Sequence, residues 1–96
     1  MKTIKVQQML SSKGNHVANQ FEIYTNNYIY FQSYQTIIAK KKRGFLCNIT
    51  LDRNYWDYSR TTLKYLKLFL GTNKSKKEIE KDIKTGVYKL ARLNKI

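Results

Sequence analysis

The chain has 96 residues, 42% of them apolar, and its 19 Lys and Arg against 6 Asp and Glu give a formal net charge of +13. This length suits one domain with one core, and no stretch reaches the roughly 18 apolar residues that a membrane span needs. Gln7 and Gln8 interrupt any signal-peptide core, and a single cysteine excludes an internal disulfide framework.

The first two predicted elements are strands. Ile4 and Val6 alternate with polar residues, and so do Phe21 and Ile23. This period of two is typical of strands. A turn-rich segment at 11–15 separates the two.

Three more strands follow in the same half of the chain. Asn26-Asn27 tolerates the positive φ that a tight hairpin requires, and it leads into an aromatic-rich strand at 28–33. Further strands are expected at 36–40 and at 45–51, joined by a hairpin tip at 41–44. The pattern predicts an antiparallel meander of about five strands.

An amphipathic helix opens the second half. Ser59 is its predicted N-cap and Gly71 its C′ residue, with Tyr58 and Leu63 placed as a hydrophobic staple. One broad face is apolar and carries Leu63, Tyr65, Leu66, Phe69 and Leu70. The opposite side carries Arg60, Lys64 and Lys67.

A second, shorter helix begins at the capping box of Ser75 and Glu78 and ends at Gly86. Its apolar stripe is only Ile79 and Ile83, so we expect it to pack lightly near the surface. After it, the chain returns either as a last strand or as an extended tail.

These elements predict an α+β fold in one domain over residues 1–96. An antiparallel sheet of about five strands occupies residues 1–52, and an amphipathic helix and a second short helix in residues 53–96 pack on it. The C-terminal strand or tail belongs to the second part. The sequence shows no internal repeat and no low-complexity linker.

Little in the sequence supports catalysis or metal binding. The single histidine, His16, has no nucleophile or carboxylate close to it in sequence. Asp52 and Asp57 flank the junction of sheet and helix, where capping and turn roles are favoured over a shared Mg²⁺ ion. Cys47 has no metal-ligand spacing around it and is expected to be a small buried hydrophobe. We therefore predict that the protein is not an enzyme and has no cofactor and no metal site.

The positive charge is concentrated towards the C-terminal end, with net +8 over residues 59–96 and +5 over residues 1–58. An AT-rich genome would supply some of the lysines without any function. Lysine outnumbers arginine 15 to 4, which favours point-charge contacts with phosphate over bidentate recognition of guanine. The candidate nucleic-acid-binding residues lie on the hairpin tip and on the two helices: Lys40, Lys41, Lys42, Arg43, Arg60, Lys64, Lys67, Lys77 and Lys81.

Four tyrosines on the predicted strand pair are a second signal: Tyr24, Tyr28, Tyr30 and Tyr34. Rings on an exposed sheet face stack bases in sheet-based single-strand binders. Tyr28 and Tyr30 share one face, and Tyr24 is expected across from them. Two alternatives stay open: this face packs under the long helix, or it forms a protein interface.

Two runs carry a resemblance to known proteins: SYQTIIA at 33–39, and YWDYSRTTLKY at 55–65 followed by FLG at 69–71. The pattern resembles that of small bacteriophage and mobile-element proteins with no assigned activity, over roughly residues 2–94. The resemblance implies a phage-encoded protein in the cytoplasm of a bacterial host cell.

Physically, the second run is a predicted structural junction. Trp56 and Tyr58 would anchor the start of the helix on the sheet. Asp57 and Ser59 would satisfy the free amides of its first turn.

The favoured interpretation is a non-enzymatic phage or mobile-element accessory protein that binds nucleic acid or a nucleoprotein complex through a lysine-rich surface. Such binding would have weak sequence selectivity and a strong salt dependence. The alternative is a small inhibitor of a host defence protein, of the anti-CRISPR type, whose protein interface would persist at high salt. A phage structural component is a third interpretation, and no membrane partner is expected.

Overall fold

The computed structural model describes residues 4–11, 13–44 and 48–94. Its strands are β1 (Lys5–Leu10), β2 (His16–Tyr24), β3 (Tyr28–Ser33), β4 (Thr36–Lys42), β5 (Ile49–Asp52) and β6 (Tyr88–Ala91). Its helices are α1 (Arg60–Leu70) and α2 (Lys76–Lys84), which lie between β5 and β6 in the chain. The predicted α+β fold is confirmed.

The six strands form one sheet in the order β1-β2-β3-β4-β5-β6. The first five are antiparallel neighbours, as the meander predicts. β6 pairs with β5 in parallel, so the segment left open between strand and tail is an edge strand. Parallel neighbours need a crossover connection, and α1 and α2 supply it.

Both helices pack on the same face of the sheet, which we call the helix-covered face. Phe31 of β3 stacks on Phe69 of α1 with ring centroids 5.8 Å apart. Ile79 of α2 is fully buried in the same hydrophobic core. Ile79 is the one buried residue of α2, and Ile83 is partly buried against the core, so the short helix packs lightly, as its two-residue stripe predicts. The other face of the sheet is called the open face.

The helix ends follow the sequence. Ser59 accepts the backbone N–H of Thr62 at 3.0 Å, and Gly71 closes α1 in the left-handed conformation with φ 70°. The capping box of Ser75 and Glu78 is present at the start of α2. These predictions are confirmed because caps depend on local sequence alone.

The β2–β3 turn differs from the prediction. Asn26 and Asn27 do not use positive φ; outside glycine, the described residues with positive φ are Asn19 at 65° and Tyr34 at 56°. The turn is closed instead by Thr25, whose N–H donates to the Tyr28 carbonyl at 2.9 Å and whose hydroxyl donates to the same carbonyl at 3.0 Å. With these bonds in place, the asparagines need no left-handed backbone.

Val6 of the edge strand β1 is 57% exposed, and Ile4, just before this strand, is 65% exposed. The predicted burial of Cys47 and the start of the fifth strand at 45 fall on residues 45–47, which lie outside the described part of the chain.

Candidate nucleic-acid interface

Strand register identifies which side chains share the open face. Residues paired directly across antiparallel strands point to the same side, so Glu22 and Ala39 join Phe31 on the helix-covered face. Residues one position further along each strand point the other way. They form a row that crosses all six strands: Val6, Ile23, Tyr30, Lys40, Thr50 and Lys89.

Burial agrees with this assignment. Phe21, Ile23, Tyr28 and Tyr30 are half-buried, yet none of them belongs to the core or packs against it. Large side chains lying flat on an uncovered sheet have this intermediate exposure. The face that carries Tyr28 and Tyr30 is therefore not the one under α1, which removes that alternative.

Two rings and an ammonium group meet at the centre of the open face. The ring centroids of Tyr28 and Tyr30 lie 6.1 Å apart with the planes inclined at 46°. Nζ of Lys40 lies 4.5 Å from the centroid of Tyr28, within cation–π distance. Lys42 pairs with Tyr28 in the register and lies on the same face. The result is an aromatic platform lined with lysine.

The charge of this face is one-sided. Its lysines come from three strand positions: Lys40, Lys42 and Lys89. Among the described residues, the acid on this side is Asp52, at the end of β5. Its carboxylate is 1% exposed and accepts hydrogen bonds from the backbone N–H groups of Asn54 and Leu93.

The four cations of the run Lys40–Arg43 do not form one cluster, because successive residues of a strand point to opposite faces of the sheet. Nζ of Lys41 lies on the helix-covered face, where it donates to the Phe69 carbonyl at 2.9 Å. Arg43 donates to the Thr25 carbonyl at 2.9 Å and lies 5.8 Å from the Tyr24 ring. The other two cations of the run, Lys40 and Lys42, lie on the open face.

Tyr24 and Tyr34 lie away from the platform, which corrects the expectation that Tyr24 faces Tyr28 and Tyr30. Tyr24 pairs with Ile29 and shares the helix-covered side of the sheet. Its hydroxyl donates to Glu22 at 3.3 Å, and burial, followed by the nearby Glu22 charge, raises the pKa of Tyr24. Tyr34 is 54% exposed at the β3–β4 hairpin tip.

The cations of α1 form a separate surface. Arg60, Lys64 and Lys67 lie along its solvent side, as the helical pattern predicts, opposite the residues that α1 buries against the sheet. They line a groove on the side of the molecule away from the open face. We call it the helix groove; its lining residues are Arg60, Leu63, Lys64, Lys67, Leu68, Thr72 and Asn73.

The cations of α2 are on yet another surface. Lys77 and Lys81 are exposed. Lys74 and Lys76 are held in ion pairs, with Asp82 and with Asp57 respectively. The sequence-predicted cations are thus distributed over several surfaces and do not form one patch.

The predicted junction before α1 is partly as expected. Trp56 is buried in the core and Ser59 caps the helix. Tyr58, however, is 48% exposed and packs edge-on against Tyr55 at 5.8 Å, so it does not anchor α1 on the sheet. Asp57 does not cap α1 in the described hydrogen bonds; it reaches Lys76 of α2 at 3.4 Å.

Asp52 has a structural role. One carboxylate oxygen accepts the N–H groups of Asn54 and Tyr55, both at 3.0 Å. The other accepts the N–H of Leu93 at 2.8 Å and the side-chain amide of Asn94 at 3.1 Å. This is the turn role that the sequence favours over a shared metal ion.

In the part of the chain that the structure describes, no group of three or more His, Cys, Asp or Glu side chains is placed to hold a metal ion. His16 is exposed at the start of β2.

Sequence reasoning missed Phe21, Ile23 and Lys89 as parts of the open face. The position of the β2–β3 turn in the sequence was enough to predict the face of Phe21 and Ile23. A hairpin centred on Asn26-Asn27 pairs Ile23 with Tyr30, so both must point to one side. Lys89 had no such signal, because its place depends on the parallel pairing of β6 with β5.

The chain belongs to a family of unknown function, DUF8033, whose model matches residues 4–86. No curated protein and no solved structure matches it. Within the described ranges, no helix is long and apolar enough to cross a membrane.

Proposed function

We propose that this chain is a non-enzymatic protein that binds single-stranded nucleic acid on its open face, with little sequence selectivity. The observation that carries the proposal is the placement of Tyr28 and Tyr30 beside Lys40 on a sheet face that neither helix covers. Rings that stack bases and lysines that hold phosphates are the two components of sheet-based single-strand binding.

The shape of the face favours a single strand over a duplex. Duplex bases are stacked inside the helix, and reading them requires an element that enters a groove. The platform is instead formed from side chains on adjacent strands of the sheet. Unstacked bases can lie against such a surface while their phosphates reach the flanking Lys40, Lys42 and Lys89.

The net charge of +13 adds a general attraction for any polyanion. Because lysine predominates, phosphate contacts should supply affinity without base specificity, and binding should weaken steeply with salt. A phage or mobile-element accessory role in a bacterial cell, as the sequence resemblance implies, is compatible with such a protein and is part of the proposal.

Fluorescence anisotropy with labelled oligo-dT, oligo-U and a duplex of equal length tests the proposal. The variant Tyr28→Ala/Tyr30→Ala removes the platform. The control variant Tyr55→Ala/Tyr58→Ala removes a different pair of exposed rings. Neither variant changes the net charge. Each stacked ring is worth about 1–3 kcal/mol, so the first variant should bind oligo-dT at least about tenfold more weakly.

The control variant should bind within about twofold of the natural protein. Equal losses in the two variants, or tighter binding of the duplex than of either single strand, would contradict the proposal. Comparison of oligo-dT with oligo-U establishes whether DNA or RNA is preferred.

One observation favours a second candidate function, inhibition of a host defence protein. Tyr34, Tyr55 and Tyr58 are 54%, 41% and 48% exposed, and all three lie outside the strands of the sheet. Exposed tyrosines are typical anchors of protein interfaces. Recovery of one host protein after nuclease treatment and at high salt, dependent on these tyrosines, would support this candidate over nucleic-acid binding.

A further inference from the structure

The helix groove combines two kinds of side chain on the solvent side of α1. At about 100° per residue, Leu63 and Leu68 flank the stripe of Arg60, Lys64 and Lys67 on its two sides. Leu68 is 45% exposed, although α1 already buries four other residues against the sheet. The groove is therefore apolar at its margins and cationic along its middle.

The three cations of this groove have no acidic partner among the described residues. α1 itself contains no acid, and the described ion pairs engage Lys74 and Lys76 instead. Nζ of Lys64 lies 5.5 Å from the centroid of the Tyr65 ring, on its own helix. The positive charge of the groove is thus available to an external anion.

We propose that the helix groove docks an acidic, amphipathic segment of a partner protein. Its carboxylates would meet Arg60, Lys64 and Lys67, and its apolar side chains would cover Leu63 and Leu68. Charge complementarity selects an acidic partner. The exposed Leu68, with the partly buried Leu63 beside the stripe, selects a protein over a nucleic acid, since phosphates and sugars gain little from aliphatic contacts. Among the described residues, none of those that line the groove has an aromatic ring on which a base could stack.

This proposal goes beyond single-strand binding because the two surfaces lie on opposite sides of the molecule. The open face is one side of the sheet, and the helix groove is on the far side of the helix that covers the other. Occupation of one does not block the other. The protein can thus hold a nucleic-acid strand and a protein partner at the same time.

The probe is a labelled synthetic peptide with Leu at every third or fourth position and Glu between them. A scrambled peptide of the same composition serves as the control for charge. The variant Leu68→Gln removes apolar contact at constant charge, and Lys64→Ala/Lys67→Ala removes two cations. The matched control Lys77→Ala/Lys81→Ala removes two exposed cations from α2.

We expect the amphipathic peptide to bind more tightly than the scrambled one. Leu68→Gln should weaken its binding about tenfold, and Lys64→Ala/Lys67→Ala should weaken it more than the α2 control does. Binding of oligo-dT should not change in Leu68→Gln, whereas Tyr28→Ala/Tyr30→Ala should leave peptide binding intact. The two proposals can therefore fail separately.

Four results would overturn the docking proposal. The first two are that the amphipathic peptide does not bind, or that the scrambled peptide binds equally well. The third is that Leu68→Gln does not change peptide binding. The fourth is that the variants of the helix groove weaken the binding of oligo-dT as much as they weaken the binding of the peptide. The last result would assign the groove to nucleic acid.

Discussion

Nζ of Lys40 lies 4.5 Å from the centroid of the Tyr28 ring, on the surface where a base would stack. An exposed cation–π contact is worth about 0.5–1 kcal/mol. Stacking of a base on the ring is worth about 1–3 kcal/mol. A bound base should therefore displace the ammonium group, which is then free to reach a phosphate.

This relationship makes the effect of Lys40→Ala depend on salt. The variant loses one phosphate contact, so the slope of log K against log salt for oligo-dT should become shallower by about 0.7. It also uncovers the Tyr28 ring, so a base can stack there without displacing the ammonium group. Because salt weakens the phosphate contact but not the stacking, the loss of affinity that Lys40→Ala causes at low salt should shrink at high salt. Anisotropy titrations from about 50 mM to about 0.5 M salt measure both effects.

Lys81→Ala is the matched control for this prediction, because Lys81 is exposed on α2 and carries the same charge. Its slope should remain that of the natural protein. If both variants change the slope equally, lysine acts through net charge alone and the placement of Lys40 has no special effect.

Local signals in the sequence predicted local structure well. The caps at Ser59, Gly71 and Ser75 and the bounds of both helices follow from a few adjacent residues, and the structure confirms them. Local signals did not predict which side of each strand is buried. In β2, Phe21 and Ile23 point to the open face and Gln20 is buried, so alternation located the strand but not its buried side.

The candidate site could be predicted only in part for the same reason. A period of two places Tyr28 with Tyr30, and Lys40 with Lys42, in any strand. Which of the two faces a helix covers depends on contacts across the fold, such as that of Phe31 with Phe69. These contacts leave no periodic trace in the sequence.

A buried hydroxyl pair links the sheet to α1. Ser33 Oγ and Thr62 Oγ1 lie 3.0 Å apart, and both residues are 0% exposed. Ser33→Ala or Thr62→Val alone leaves the other hydroxyl unpaired, which should cost about 1–3 kcal/mol of unfolding free energy. The double variant should be less destabilised than the sum of the two, with a coupling of about 1 kcal/mol in urea unfolding. Additive losses would show that the pair does not interact.

Asp52→Asn should strongly destabilise the junction of β5 with the C-terminal segment. The carboxylate accepts four hydrogen bonds, two on each oxygen, and is 1% exposed. An Asn amide keeps one acceptor and presents N–H groups to donors, which should cost about 2–4 kcal/mol in urea unfolding.

Asp57→Asn is the matched control, because it removes only a partly exposed ion pair with Lys76. Its cost should stay below about 1 kcal/mol. Similar losses for the two aspartates would mean that the charge, and not the hydrogen-bond network of Asp52, stabilises the fold.

Tyr34→Gly should stabilise the protein. Tyr34 has φ 56° in the two-residue turn between Ser33 and Thr36, a conformation that costs a residue with a Cβ about 1–2 kcal/mol. Glycine removes this cost but loses more backbone entropy on folding, so the net gain should be about 0.5–1 kcal/mol, or a few degrees in Tm. Tyr34→Ala also removes the ring but keeps the Cβ, so it should bring no gain. A fall in Tm for the glycine variant would show that the ring itself contributes to stability.

Glu78 should make α2 sensitive to acid. Its carboxylate accepts the backbone N–H of Ser75 at 2.9 Å, and this bond, followed by that with the Ser75 hydroxyl, holds the pKa of Glu78 below its usual 4.5. A folded-state pKa below the unfolded value means that the unfolded chain binds the proton more readily. The stabilisation is therefore fully present above about pH 4.5 and is lost as the pH falls through the lower folded value. Glu78→Gln keeps an acceptor at this position but cannot titrate. The natural protein should therefore have the higher Tm at neutral pH, and the difference in Tm between it and the variant should shrink as the pH falls. A difference that stays constant from neutral to acidic pH would mean that the capping box acts without its charge.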